Sequence, residues 1–203
     1  MIIKNLIDPF PHTMFYDFYD EKELQGIWQE LDFLNQPNKL MNNTIVGDTP
    51  APDHKSGLYL DVVYPHRPMS NLLVANRKLF DMVDEVDNYF LRNQLKTSNC
   101  DFTWICYYYS GTYYGSHPDK CMLSAVTTFW REPKAFTGGN LTFTNYGYIP
   151  DMRTNAVILF PSFEPHEVTE ITISHEDTVK GLSRWSMNQF LQMHTKVLTT
   201  PGV

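Results

Sequence analysis

The feature that most constrains the fold is the second half of the chain, which has the pattern of a succession of short β-strands. Segments rich in aromatic and β-branched residues follow Cys100 and are separated by turns that contain Gly, Pro, Asn or Asp. These segments are 102–109, 122–130, 141–145, 156–161, 167–173 and 182–193. Short strands at regular intervals are typical of a sandwich or a barrel.

The first hundred residues have a helical pattern instead. Apolar residues at helical spacing predict one helix from Glu21 to Leu34, with Asp20 as its N-cap, and a second from about Ser70 to Asn93. We therefore predict one α+β domain over residues 1–203, with a helical preface to about residue 100 and a β core over about 101–193.

Three further segments of the preface are predicted to be non-helical. The opening segment to about Tyr19 suits an edge strand, and Leu58 to Val63 suits a short strand. Residues 35 to 56 are dominated by Asn, Pro, Asp, Gly and Thr. A long loop in a compact domain is either a functional lid or a surface excursion, and both remain open. Gln36 to Ser56 is the candidate substrate lid.

Composition and charge exclude several classes of protein. Of 203 residues, 42% are hydrophobic and the formal net charge is −7, so the chain is globular and a poor match for nucleic acid, whose phosphates draw on Lys and Arg. Three cysteines without a CxxC pair argue against a disulfide framework and a thiolate zinc site. No signal peptide or membrane span is apparent, and we expect a cytoplasmic protein with no membrane partner.

Two histidines and an aspartate form a candidate metal site. His117 and Asp119 are two residues apart at the exit of an aromatic strand, so they project to the same side of an extended chain. His166 follows another strand and a turn, and can return across a barrel mouth to join them. Two His and one carboxylate on one face of iron leave three coordination positions open. An isolated His166 would more often be a hydrogen-bonded structural imidazole. A second histidine with an acidic residue two positions later, at 175–177, lies in a charged segment and is interpreted as a solvated turn.

The last predicted strand offers a candidate anion site. Arg184 and Ser186 share one face of this strand, and a planar guanidinium beside a hydroxyl suits bidentate capture of a carboxylate. A surface Arg in an ion pair is the common alternative. Because the flanking strand is apolar and aromatic, an inward-facing Arg184 needs a partner, and an acidic cosubstrate is one candidate.

Residues 102 to 192 together resemble the iron(II)- and 2-oxoglutarate-dependent dioxygenases, in particular the prolyl 4-hydroxylase-like branch. The YxxGxxYxxHxD pattern of that branch is matched without a gap. Its GGxLxF strand, its distal histidine and its closing Gly, basic residue and Ser also resemble segments of this chain. The matching positions are Tyr108, Gly111, Tyr114, His117 and Asp119, then 138–143, then 156–162 with His166, and finally Gly181, Arg184 and Ser186.

The resemblance implies a double-stranded β-helix (jelly-roll) core with two N-terminal flanking helices. It assigns His117, Asp119 and His166 as ligands of Fe(2+), and Arg184, with Ser186 and Tyr108, as the residues that bind the far carboxylate of 2-oxoglutarate. Tyr114 and Trp130 are candidate substrate contacts. The implied reaction is hydroxylation of a C–H bond with O2, producing succinate and CO2, and ascorbate is a candidate further cofactor.

Several alternatives remain open. Some relatives place a Lys about ten residues after the distal histidine. Either the hairpin Ser174 to Lys180 is longer in this chain and Arg184 has the same role, or Lys180 binds 2-oxoglutarate instead of Arg184. The substrate could be a peptidyl proline or related residue, a free amino acid or another small molecule. Nucleic-acid dealkylation is disfavoured because Phe190 stands where such relatives carry a second Arg. A non-catalytic metal-binding β-barrel that recognises a partner is the alternative from another class.

Overall fold

A computed structural model describes residues 1–36, 39–42, 45–46, 49–50 and 55–194. The strands are Ile2–Leu6 (β1), His12–Tyr16 (β2), Met41–Asn42 (β3), Ile45–Val46 (β4), Thr49–Pro50 (β5), Lys55–Tyr59 (β6), Cys100–Tyr108 (β7), Tyr114–His117 (β8), Leu123–Phe129 (β9), Thr137–Gly138 (β10), Leu141–Phe143 (β11), Ala156–Pro161 (β12), His166–Val168 (β13), Ile171–Thr172 (β14) and Trp185–Gln192 (β15). The α-helices are Glu21–Leu34 (α1), Leu60–Val63 (α2), Asn71–Ala75 (α3), Lys78–Asp81 (α4), Tyr89–Thr97 (α5) and His175–Val179 (α6), with single 3₁₀ turns at Arg67–Met69 and Val83–Glu85. Within these described ranges, no helix is both long and apolar enough to cross a membrane.

The strands form one large antiparallel sheet and smaller sheets. The large sheet has eight strands in the order β1-β2-β12-β9-β15-β7-β6-β3. A second sheet has the order β11-β13-β8, and β10 pairs with β14. Strands distant in sequence are therefore neighbours: β8 pairs with β13 in the second sheet, and β15 lies between β9 and β7 in the large sheet.

Alternation along β7 explains how the layers pack, because successive side chains of a strand point to opposite faces. Ile105 and Tyr107 belong to a buried cluster that includes residues of α1, α3 and α5. Trp104, Cys106 and Tyr108 belong to a second cluster, which includes residues of β8, β13 and β14. The large sheet thus packs against helices on one face and against the smaller sheets on the other.

Helix α1 has the predicted bounds, and its start is fixed by a capping box. The Asp20 carboxylate accepts the backbone N–H of Glu23, and the Glu23 carboxylate accepts the backbone N–H of Asp20, each at 2.8 Å. These bonds satisfy donors that the first turn leaves open. Ile27 and Leu31 are fully buried, so the predicted apolar stripe packs against the core.

The prediction of one long helix from Ser70 to Asn93 is wrong, and the preface of two helices is not confirmed. This stretch forms α3, α4, a 3₁₀ turn and the start of α5. Asn76 ends α3 and its buried side chain donates to Thr103 on β7. Asn88 starts α5 by accepting the backbone N–H of Leu91. Asn side chains that bond to nearby backbone or to the core favour helix ends over helix interiors.

Two other predictions for the preface need correction. The opening segment is a hairpin in which only β1 lies at the sheet edge, because β2 pairs with both β1 and β12. The strand predicted over Leu58–Val63 ends at Tyr59, where α2 begins. There the Asp61 carboxylate accepts the backbone N–H of Thr103 at 2.6 Å and pairs with Arg67 at 3.0 Å, which holds the turn against β7.

The strands predicted after Cys100 are present with modified bounds. The strand over 156–161 has the predicted ends, whereas 167–173 divides into β13 and β14. The predicted hairpin of Ser174 to Lys180 contains the exposed helix α6, which Ser174 caps by accepting the N–H of Asp177. The candidate lid over 36–56 lies partly outside the described residues, so it stays a prediction.

Candidate active site

Strand pairing brings the three predicted metal ligands together. His117 ends β8, His166 begins β13, and these two residues are direct partners in the β8–β13 pairing. Asp119 follows two residues after β8, where its backbone N–H donates to Ser162 at 2.8 Å. One potential ligand atom from each of the three side chains lies within 4.8 Å of the other two. His117 Nε2 and His166 Nε2 are each 3.6 Å from an oxygen of Asp119.

Hydrogen bonds orient both imidazoles toward the carboxylate. His117 Nδ1 lies 2.7 Å from the carbonyl of Gly115, and His166 Nδ1 lies 2.9 Å from the carbonyl of Glu164. Because a carbonyl only accepts, each Nδ1 carries the proton and each Nε2 presents a lone pair toward Asp119. This tautomer is the one that binds a metal through Nε2, with the other nitrogen held by an outer partner.

Burial changes the protonation of the ligands in opposite directions. It lowers the pKa of His166, an effect that the hydrogen bond to Glu164 partly offsets, so the neutral form needed for metal binding is favoured. Burial also raises the pKa of Asp119, against the smaller effects of the Ser124 hydroxyl and His117. The Ser124 hydroxyl donates to Asp119 at 2.5 Å. A metal cation bound between the imidazoles would supply the positive charge that a buried carboxylate lacks.

A cavity of about 380 Å³ opens beside the triad. Its buried end includes Tyr108 and Val168, and its outer part includes Tyr59 and Phe102, whose exposures are each 38%. Tyr114, a predicted substrate contact, lines the cavity with its ring centroid 4.1 Å from that of His117. The triad therefore lies between an enclosed pocket and an open mouth.

Arg184 is buried against the ring of Tyr108, which lines this cavity, although Arg184 itself is not among the lining residues. Its guanidinium carbon is 4.9 Å from the Tyr108 ring centroid, and the residue is 1% exposed. Both terminal nitrogens lack a hydrogen-bond partner among the residues that the structure describes. Burial lowers the pKa of Arg184, against the opposing effects of Tyr108 and Cys106. A buried guanidinium with two free donors is suited to a carboxylate that enters the cavity.

The glycine pair at 138–139 makes room for this arrangement. Both glycines have positive φ, and a Cβ on Gly138 would lie 1.9 Å from the backbone oxygen of Glu170. A Cβ on Gly139 would lie 2.7 Å from the Ile171 side chain and 3.2 Å from Arg184 Cδ. Only glycine therefore allows β10 to approach β14 while Arg184 passes beside it.

Other predicted site residues lie elsewhere or have different partners. Ser186 is buried and donates to Asn188 Oδ1 at 3.1 Å. Trp130 is not among the residues that line the cavity, and its indole N–H donates to Glu132 at 2.8 Å; its contact with substrate stays a prediction. Lys180, the alternative anion ligand, is paired with Glu176 at 2.5 Å on exposed α6.

Sequence reasoning missed several residues of the cavity. Asn188 and Phe190 line it and continue the alternation that places Arg184 and Ser186 on one face of the last strand, so that pattern could have identified them. Tyr59 could not be found in this way. It reaches the cavity because β6 pairs with β7, a pairing between segments far apart in sequence.

Comparisons with known proteins identify the fold. No protein family model matches the sequence, and no curated protein matches it. A Pseudomonas putida prolyl-4-hydroxylase matches 91% of this chain and 93% of its own, with 16% identity and a TM-score of 0.61. The chain has the fold of the 2OG-Fe(II) oxygenases. The predicted jelly-roll core is therefore confirmed.

Two further solved structures support the same fold. A prolyl hydroxylase from Trichoplax adhaerens, in complex with a peptide fragment of the hypoxia inducible factor oxygen degradation domain, shares 15% identity over 89% of this chain and 83% of its own, with a TM-score of 0.60. A 2OG-Fe(II) oxygenase family oxidoreductase from Burkholderia pseudomallei shares 16% identity over 90% and 84%, with a TM-score of 0.55. The His–Asp–His triad of this chain stands on that oxygenase fold.

Proposed function

We propose that this protein is an Fe(II)- and 2-oxoglutarate-dependent oxygenase that hydroxylates a C–H bond, using O2 and producing succinate and CO2. The observation that carries the proposal is a metal-ligand cluster next to a buried cation. The His–Asp–His cluster lines the cavity, and the Arg184 guanidinium packs on Tyr108, which lines the same cavity, with no hydrogen-bond partner for its terminal nitrogens among the described residues. A metal site alone would support many functions, whereas the added anion site matches a cosubstrate that carries two carboxylates.

His117, Asp119 and His166 would hold the iron. Two imidazoles and one carboxylate on one face of Fe(II) leave room for further ligands, and the bound iron supplies the reaction of dioxygen with the 2-oxo acid. The chain's own contribution is to orient these ligands. The Gly115 and Glu164 carbonyls fix both imidazole tautomers, so Nε2 of each histidine is available without proton loss.

The residues around Arg184 would bind and shield the cosubstrate. The two terminal nitrogens of Arg184 would donate to the far carboxylate as a charge-assisted, bidentate pair. Tyr108 packs on the guanidinium, and Ser186 lies two residues further on the same face. Val168 and Tyr114 contribute apolar surface to the cavity, which limits access of water to the reacting groups.

The finer part of the proposal concerns the substrate. We infer a peptidyl proline or a related residue, because two of the solved structures with this fold are prolyl hydroxylases and one of them holds a peptide. A free amino acid or other small molecule is the alternative. Ascorbate remains a candidate reductant.

The proposal is tested by anaerobic titration of the purified protein with Fe(II) and 2-oxoglutarate, followed by the visible charge-transfer band of the chelate. We expect the wild-type protein to develop the band, His166→Ala to lose it, and Arg184→Ala to require far more 2-oxoglutarate. Arg153→Ala is the matched control, because Arg153 pairs with Asp151 on the surface. A folded wild-type protein that gives no band would refute the proposal and favour a non-catalytic metal-binding module.

A further inference from the structure

The mouth of the cavity is lined on one side by four aromatic residues, here called the aromatic wall: Tyr59, Phe102, Trp104 and Phe190. Strand pairing makes the wall continuous, since Phe102 is the direct partner of Phe190 and Tyr59 the direct partner of Trp104. The rings of Tyr59 and Trp104 stack at 5.8 Å with 15° between their planes. Tyr59 and Phe102 leave apolar surface exposed to solvent at this rim, where an apolar ligand could cover it.

Lys120 lies at the same rim, on a segment whose backbone is fixed on both sides. Asp119 N–H donates to Ser162 at 2.8 Å, and Met122 N–H donates to Leu191 at 3.0 Å. The Lys120 side chain is exposed, lines the cavity, and forms no hydrogen bond or ion pair with any described residue. By contrast, Lys78 and Lys180 are each paired with a Glu. Lys120 is therefore a cation on a fixed backbone segment at the mouth, with no ion-pair partner among the described residues.

The charges of the loaded site leave that cation unbalanced. Lys120 and Asp119 are the only Asp, Glu, Lys or Arg residues among those lining the cavity in the described part of the chain. In the proposed function, the charges of Fe(II) and Arg184 are balanced by the Asp119 carboxylate and by the two carboxylates of 2-oxoglutarate. The charge of Lys120 then remains for the substrate, although the chain as a whole carries −7.

We propose that Lys120 and the aromatic wall select substrates in which a carboxylate lies next to an apolar ring or branched body. This inference rests on the proposed function and specifies the substrate class of that site. The apolar body packs on the wall and faces the triad, and the carboxylate pairs with Lys120 at the rim. The carboxylate could be the terminal group of a free or C-terminal amino acid, or the side chain of an acidic residue next to the oxidised one.

The two elements have separable effects. An exposed ion pair contributes little, so a carboxylate should bind about two- to fivefold more tightly than its uncharged amide. Added salt should reduce this ratio, because the pair is exposed to solvent. The wall acts equally on acid and amide, since both present the same apolar body. Lys120 thus sets the ratio of the two affinities, and the wall sets their common level.

The test measures binding of matched probes to protein loaded with Zn(II) and 2-oxoglutarate, using ligand-observed NMR. N-acetylproline and N-acetylprolinamide test a terminal carboxylate. Acetyl-Pro-Glu-amide and acetyl-Pro-Gln-amide test an adjacent acidic side chain. We expect at least one acid to bind more tightly than its uncharged amide in the wild-type protein. In Lys120→Gln, the ratio of the two affinities should fall close to one. Phe102→Ala should weaken acid and amide alike and keep the ratio, and Lys22→Gln on α1 is the matched control.

The outcomes separate this inference from the proposed function. A preference for the first pair identifies a terminal carboxylate, and a preference for the second identifies an acidic neighbour. Equal binding of acids and amides in the wild-type protein, or an unchanged ratio in Lys120→Gln, would overturn the inference. Acid binding that 2-oxoglutarate displaces would also overturn it, because the probe would then occupy the Arg184 site. Failure of the proposed function itself is seen independently, as a missing chelate band.

Discussion

Replacing Arg184 with methionine should stabilise the ligand-free protein while removing its affinity for 2-oxoglutarate. The side chain is 1% exposed and both terminal nitrogens lack a described hydrogen-bond partner, so the folded state carries the cost of a desolvated cation. The Tyr108 ring at 4.9 Å offsets only part of it. Methionine has a similar length and no charge, and replacing buried ionic groups with apolar ones is often stabilising by about 1–4 kcal/mol.

Ligand binding should reverse the order of stability. A ligand that binds only the folded state at a hundred times its Kd adds about 2.7 kcal/mol, and we expect this gain for the wild-type protein alone. Urea denaturation of both proteins, with and without 2-oxoglutarate and Zn(II), measures the two effects. Arg153→Met on the surface should leave the urea midpoint unchanged. A ligand-free Arg184→Met protein less stable than the wild type would refute the reasoning, because Arg184 would then be satisfied in the folded state.

Three further predictions concern the support of the site. Gly139→Ala should destabilise the fold by about 1–3 kcal/mol and weaken 2-oxoglutarate binding, because the new Cβ would lie 2.7 Å from Ile171 at positive φ; an unchanged urea midpoint would contradict this. Ser124→Ala removes the hydroxyl that donates to Asp119, and metal titration should reveal about 10–100-fold weaker binding, whereas equal affinity would argue against a role in orientation. Burial lowers the pKa of His12 below 6.5, so the folded state resists its protonation. The free energy of unfolding should therefore fall as the pH drops below 6.5. His12→Gln should make the urea midpoint depend less on pH in this range.

The parts of the fold that the sequence could predict depend on local signals. Helix α1 combines an apolar stripe with a capping box at Asp20, and both lie within a few residues of each other. The second predicted helix also had a stripe of apolar residues, but the segment is not one continuous helix. Asn76 ends α3 and Asn88 starts α5. The periodicity of apolar residues indicated the buried positions Leu72, Leu79 and Val86, but Phe90 of the same stripe is exposed. It did not indicate that separate short helices supply the buried residues.

The candidate site divides in the same way. His117 and Asp119 share a face by their spacing alone, and the alternation from Arg184 onward places side chains on one side of β15. For Trp130, the aromatic side chain suggested a substrate contact, which stays a prediction, and the sequence did not indicate that its indole N–H donates to Glu132. A residue type indicates what a side chain can bind, and only its neighbours determine which partner it has.

The mouth of the cavity depends on contacts that local patterns do not encode. Tyr59 reaches the aromatic wall because β6 pairs with β7, and β6 itself ends there because Asp61 bonds to Thr103 and Arg67. In contrast, the two histidine ligands lie on β8 and β13, which pair directly with each other, and Asp119 follows two residues after β8. The wall and Lys120 share segments with the central residues, since Lys120 follows Asp119 and Phe190 lies on β15 after Arg184. A chain can nevertheless keep the triad and Arg184 while the wall and Lys120 change, because these are different side chains. Substrate choice in this fold should therefore follow the residues at the rim, and the chemistry should follow the residues at the centre.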